Sequence, residues 1–150
     1  MQHDREWIAQ RLPQQGAMCL LEQVIGWDES HIVCRSGSHR DAGNPLRAHG
    51  RLGAACGIEY AAQAMALHGA LRTVQHDRPQ RGFLLAVREV QLQVPALDGI
   101  SADLQVTAEC LHADAALAQY RFALSAAGQS LLHGQATVVF DAAKLAKSSA

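Results

Sequence analysis

The chain has 150 residues, of which 49% are apolar and 18% charged, with a formal net charge of −1. That length holds one domain with a full core and is too short for two ordinary ones, and the composition excludes a disordered chain. The near-neutral balance gives no overall attraction to nucleic acid or to an anionic membrane surface.

In chain order, residues 4–11 are expected to form a short helix, with Asp4 as N-cap, Trp7 and Ile8 as its apolar contacts and Leu12-Pro13 as its stop. Residues 18–27 read as a strand whose hairpin partner is 31–36, across Asp28-Glu29-Ser30. A polar loop carrying Gly and Pro follows over 37–53. Residues 54–71 are built mostly from Ala, Met, Leu and Ile without proline, so they predict one helix of about five turns. It is apolar around nearly its whole circumference and must be buried on most sides.

From residue 82 the period changes to two. Four strands are expected, over 82–94, 102–112, 116–125 and 130–140, with Val90, Leu92 and Val94 sharing a face and Tyr120, Phe122 and Leu124 another. One buried helix and about six strands make an α+β domain, with the helix packed on an antiparallel sheet. The domain spans 1–140, and 141–150 reads as a flexible C-terminal tail. A sheet curled over one helix leaves an edge strand exposed, and dimerisation is the usual remedy.

Cys19, Cys34, Cys56 and Cys110 form no CxxC pair, so reduced thiols are expected. The histidines show no metal-ligand spacing, and no P-loop, dinucleotide fingerprint or Gly-x-Ser-x-Gly elbow occurs; neither a metal nor a cofactor is called for. The first eleven residues are polar, no apolar signal core follows, and no run approaches the ~20 apolar residues of a membrane span. These features predict a cytoplasmic protein.

One constellation carries chemistry. Glu59 is the only charged residue in 54–71. A carboxylate on a buried helix is costly unless paired or neutral, so an apolar pocket is expected around it. Gln63 stands at i+4, where its amide can orient that carboxyl. His49 lies ten residues upstream in the polar loop, within reach of the helix start. The amides of Gly53, Ala54 and Ala55 are first-turn donors for an anionic or carbonyl oxygen. Carboxyl, imidazole and amide-lined site together suit thioester or carbonyl chemistry. A structural carboxylate at Glu59 and an ordinary loop histidine at His49 are the competing readings.

Three stretches resemble a known family: Leu12-Pro13-Gln14 with the apolar run 18–24; Gly50-Arg51-Leu52 followed by Gly57-Ile58-Glu59-Tyr60-Ala61-Ala62-Gln63-Ala64; and Gly82-Phe83-Leu84-Leu85-Ala86-Val87-Arg88. They are similar to the opening Leu-Pro-His, the Glu-x-x-x-Gln helix and the following strand of the hotdog-fold 3-hydroxyacyl-[acyl-carrier-protein] dehydratases. The branch found in aryl polyene clusters looks most similar. The resemblance implies dehydration of 3-hydroxyacyl thioesters on an acyl carrier protein, with Glu59 matching the acid that assists departure of the hydroxyl. In the family a histidine removes the C2 proton. Here the His-Phe-Pro-Gly turn is missing, so His49 matches that base imperfectly.

The resemblance also implies a homodimer, or a heterodimer with a second hotdog dehydratase that would supply the histidine. Arg40, Arg47 and Arg51 are its candidate contacts for the acidic carrier protein. Two alternatives stand beside this. A hotdog acyl-thioesterase is loosely mimicked by Asn44, His49-Gly50 and Glu59, and a non-catalytic scaffold subunit would explain the missing turn.

Overall fold

A computed structural model describes residues 2–75 and 83–140. The expected tail, 141–150, and Gly82 at the start of an expected strand lie outside the described residues.

Among the described residues there are two α-helices and seven strands: β1 (His3–Asp4), α1 (Arg5–Ala9), β2 (Gln23–Trp27), β3 (His31–Ser36), α2 (Gly57–Gln75), β4 (Phe83–Leu92), β5 (Leu104–Ala113), β6 (Leu117–Ala126) and β7 (Gln129–Val139). They make one antiparallel sheet in the order β1-β2-β3-β5-β6-β7-β4. This is the hotdog architecture, with α2 packed against β3, β5 and β6. The chain leaves β3, crosses the sheet as α2, and returns at the far edge as β4.

The helix forms where the sequence has no breaker, led in by a 3₁₀ turn at Ala54–Cys56. Tyr60, Ala61, Ala64, Met65, Leu67 and Leu71 are buried, as are the facing Val106, Tyr120, Phe122, Leu124 and Leu132. Each fully buried Leu of this kind contributes about 1.5–3 kcal/mol. Gly57 sets the close approach of the helix start: a Cβ there would meet the Leu132 and Leu124 methyl carbons at 2.5 and 3.1 Å. Leu20, Leu21, Val24, Ile32 and Cys34 extend the core toward β2 and β3.

The expected strand over 18–27 is shorter than the sequence suggested. Gly16–Met18 forms a 3₁₀ turn and only Gln23–Trp27 joins the ladder. The apolar stretch between them is buried, but side chains satisfy its backbone. The Leu20 N–H donates to Gln63 Oε1, and the Leu20 carbonyl accepts the Ser36 and Ser38 hydroxyls. Asp4 caps α1 as expected, accepting the Trp7 amide at 3.0 Å.

The β6–β7 hairpin turns through Ala127 and Gly128, both at positive φ (50° and 80°), the type I′ geometry that matches strand twist. At the sheet's other end β4 is an open edge. It carries two bulges, and Leu84, Val87 and Leu92 are exposed on the face they share with their cross-strand partners Val138, Ala136 and Leu132, with the exposed Leu85 at a bulge. The expected common face of Val90, Leu92 and Val94 is interrupted there, because the register shifts between Arg88 and Gln91. Tyr120, Phe122 and Leu124 do share a buried face.

A candidate active site at the start of the central helix

Glu59 and Gln63 are spaced i, i+4 on the first turns of α2, and Ala55 lies in the 3₁₀ turn that leads into it. Ala55 is exposed, and Ile58, Glu59, Ala62, Ala66 and Ala70 are partly exposed. This is the side of the helix that the chain's own sheet leaves open.

The expected orienting pair is present. Gln63 is fully buried, and its Nε2 donates to Glu59 Oε1 at 3.3 Å and to the Met18 carbonyl at 2.8 Å. Its Oε1 accepts the Leu20 amide at 2.9 Å. Both ends of the Gln63 amide are thus bonded within the chain.

A second amide, unforeseen from the sequence, completes the arrangement: Gln14 Nε2 donates to the same Glu59 Oε1 at 3.2 Å. Leu12 buries itself, and the Gln15 side chain folds back onto the carbonyls of Ala9 and Leu12, which fixes the backbone that presents Gln14. Its position directly after Leu-Pro was the one sequence signal that could have found it. The apolar pocket expected around Glu59 is not what this chain builds alone. The carboxylate is half-exposed and held by two amide donors, and among the described residues no cation pairs with it. The second oxygen, Oε2, carries no bond to the chain among the described residues.

Of the three helix-start amides, Ala54 is a correction. Its N–H donates to the Pro95 carbonyl at 3.2 Å, where the segment before α2 pairs with the strand-like stretch at Ala96, and is spent there. The amides of Gly53 and Ala55 donate to no group among the described residues, and both residues are exposed. These two are the donors free to meet a carbonyl oxygen.

Among the described residues, His49 makes no hydrogen bond to Glu59. It sits at the tip of a two-residue turn closed by reciprocal Ala48–Arg51 bonds of 2.9 and 3.0 Å, with φ 53° at His49 and 75° at Gly50. Its ring is exposed and makes no hydrogen bond with the described residues. Asp98 pins this turn, taking Arg51 Nε on both oxygens and the Leu52 amide. The buried imidazoles are held by structural bonds. His68 lies between the Tyr120 hydroxyl (2.7 Å) and the Asp28 carbonyl (2.8 Å), and His39 Nε2 bonds the Ile100 carbonyl at 2.9 Å. Desolvation lowers the pKa of both rings.

Behind the site, Tyr60 ties the loop to the helix. Its buried hydroxyl meets Ser38 Oγ at 2.7 Å and receives Asn44 Nδ2 at 3.1 Å. Burial pushes the Tyr60 phenol up. The three loop arginines are engaged within the chain: Arg40 with Asp103 and the Ser101 carbonyl, Arg47 with the carbonyls of Gly50 and His39, and Arg51 with Asp98.

Among the described residues no cluster of His, Cys, Asp or Glu gathers to hold a metal ion, and no helix is long and apolar enough to cross a membrane. The four cysteines are unpaired, and burial raises the Cys34 thiol to about 12.

Comparison with known proteins supports a dehydratase. The dehydratase heterocomplex ApeI:P from Xenorhabdus doucetiae superposes with a TM-score of 0.81 at 25% identity, covering 95% of each chain. Thioesterases from Pseudomonas aeruginosa (TM-score 0.65, 14% identity, 91% of this chain and 93% of that one) and Haemophilus influenzae (0.66, 13%, 91% and 90%) share the fold. No curated protein sequence matches the chain. The ApeP-like family, described as ApeP dehydratase, matches residues 6–148, and the chain belongs to that family.

Proposed function

We propose that this chain supplies the acid residue of a hotdog dehydratase that converts 3-hydroxyacyl thioesters on an acyl carrier protein to trans-2-enoyl thioesters, and that a second hotdog subunit paired along β4 supplies the base. The reaction belongs to fatty-acid-like or aryl polyene biosynthesis in the cytoplasm. The observation that carries this reading is Glu59. Its carboxyl is aimed by two amides on a helix face open to a partner, with no imidazole of the described chain bonded to it.

The roles divide by chemistry. The partner's base takes the C2 proton, the C2–C3 double bond forms as the C3–O bond breaks, and the carboxyl proton of Glu59 goes to the departing hydroxyl to leave water. The Gly53 and Ala55 amides receive the thioester oxygen as negative charge gathers on it. The Xenorhabdus relative is a heterocomplex, which agrees with a site shared by two unlike subunits. The apolar open edge of β4 is the surface such a subunit would extend.

The test is turnover of 3-hydroxyacyl carrier protein by the chain alone and with a hotdog dehydratase encoded beside it. Enoyl product is followed by mass spectrometry and free thiol in parallel. Glu59→Gln keeps the shape and cannot deliver a proton, so dehydration should fall by about two orders of magnitude or more. Thiol release without enoyl product would point to the thioesterase alternative. Full activity of the complex with Glu59→Gln would leave this chain a scaffold.

A further inference from the structure

Two glutamines hold one carboxylate oxygen, and they are not equivalent. Gln63 Nε2 donates to the Met18 carbonyl and its Oε1 accepts the Leu20 amide. A carbonyl only accepts and an amide N–H only donates, so the backbone on either side fixes which end of Gln63 is which. Turning that amide over would break two buried bonds. Gln14 has no such restraint. Its Nε2 meets Glu59 Oε1, while its own Oε1 is buried without a partner among the described residues. A buried acceptor left unpaired is uncommon and asks for a reason. Packing does not provide one, since an apolar side chain would fill the same space without that penalty.

A general acid passes through both protonation states in every cycle: it gives its proton to the leaving hydroxyl as a carboxylic acid and waits as a carboxylate to regain it. We infer that Gln14 is the positioning residue for both states, its terminal amide presenting Nε2–H to the carboxylate and, turned over, Oε1 to the carboxylic acid, while Gln63 stays fixed. The inference rests on the reading of Glu59 as the acid of a dehydratase. The backbone of Gln14 is held by buried Leu12 and by the Gln15 clamp on Ala9 and Leu12, so the freedom is confined to the end of the side chain. No second bond of the amide has to be broken for it to turn.

The experiment compares two variants in the assembled dehydratase. Gln14→Met keeps the length and removes both functions; kcat should fall about tenfold, a part of the 10²–10⁴ carried by a general acid, with KM within about twofold. Gln14→Glu keeps the length and sets two carboxyls within reach of one proton, so its pH–rate optimum should move upward by about one unit. Unchanged kcat in Gln14→Met, or a Gln14→Glu profile that superposes on the wild type, overturns the inference. A second readout is independent of turnover. The ¹⁵N-labelled side-chain amide of Gln14 should shift with pH in the wild type and cease to do so in Glu59→Gln, and a Gln14 signal that is flat in the wild type also overturns it. If Glu59→Gln turned over normally, the dehydratase reading would fail, and the amide signal would still decide whether Gln14 follows the carboxyl.

Discussion

Gln63 and Leu20 lie 43 residues apart, and the side-chain oxygen of the one accepts the backbone amide of the other at 2.9 Å. Through this bond the helix face that carries Glu59 also holds the Met18–Leu20 segment, which has no strand partner of its own. The segment and the carboxylate are therefore positioned by the same side chain.

Gln63→Leu should accordingly cost both stability and activity. It leaves the Leu20 N–H and the Met18 carbonyl without their partner, at about 1–3 kcal/mol for each buried group. Urea denaturation should show a loss of about 2–6 kcal/mol, the sum of those two penalties. Turnover should fall as well, because Glu59 loses its fixed donor.

His49→Ala should leave turnover of the assembled enzyme within about twofold of wild type, since the ring stands exposed at a turn tip with no bond to Glu59; a general base would cost about 10²–10⁴. The same position tests backbone strain. With φ at 53°, His49→Asn should be tolerated, whereas the β-branched His49→Val should destabilise by about 1–2 kcal/mol. Loss of turnover in His49→Ala would return the base to this chain.

Ala127 occupies the first central position of a type I′ turn, with φ 50°. Ala127→Asn should raise the stability by about 0.5–1 kcal/mol, because Asn visits this region at lower cost. Thermal unfolding at equal assembly state measures it.

Stability should depend on pH through His68 and His39. Burial lowers both rings below the ordinary 6.5, so below that pH the unfolded chain binds protons that the folded chain refuses. Their contribution is complete above about pH 6.5 and is lost as the pH falls toward the depressed folded values. Denaturation midpoints at pH 7.5, 6.0 and 5.0 should decline in that order, and His68→Gln, which can still donate and accept, should flatten the slope.

Leu85→Lys places a charge on the open apolar strand. It should shift the protein to a smaller species in sedimentation and abolish turnover of any assembly that depends on β4. An unchanged sedimentation profile would remove β4 as the pairing edge.

The helix was legible because 54–71 contains no proline and little that is polar, and the Glu59–Gln63 pair because i+4 spacing guarantees adjacency. Gln14 was not, since its bond to Glu59 spans 45 residues and depends on how one loop is clamped after α1. The 18–22 stretch was misread as strand because apolarity reports burial and does not say whether a ladder or side chains satisfy the backbone. Nearness in sequence likewise placed His49 over the helix start, but a left-handed turn holds it at its own tip. Ala54 counted as a free donor until the chain at Pro95 arrived to accept it.

The uncovered β4 edge gives the chain an economy of supply. An edge strand with exposed Leu and Val side chains, and backbone groups unpaired along one side, is a template for whatever chain it meets first. Copies made in excess of the proper mate would meet one another instead, and self-association through the same edge would compete with productive pairing. The yield of functional protein would then follow the ratio at which two polypeptides are synthesised, and expression of this chain by itself would produce aggregates where matched co-expression would not.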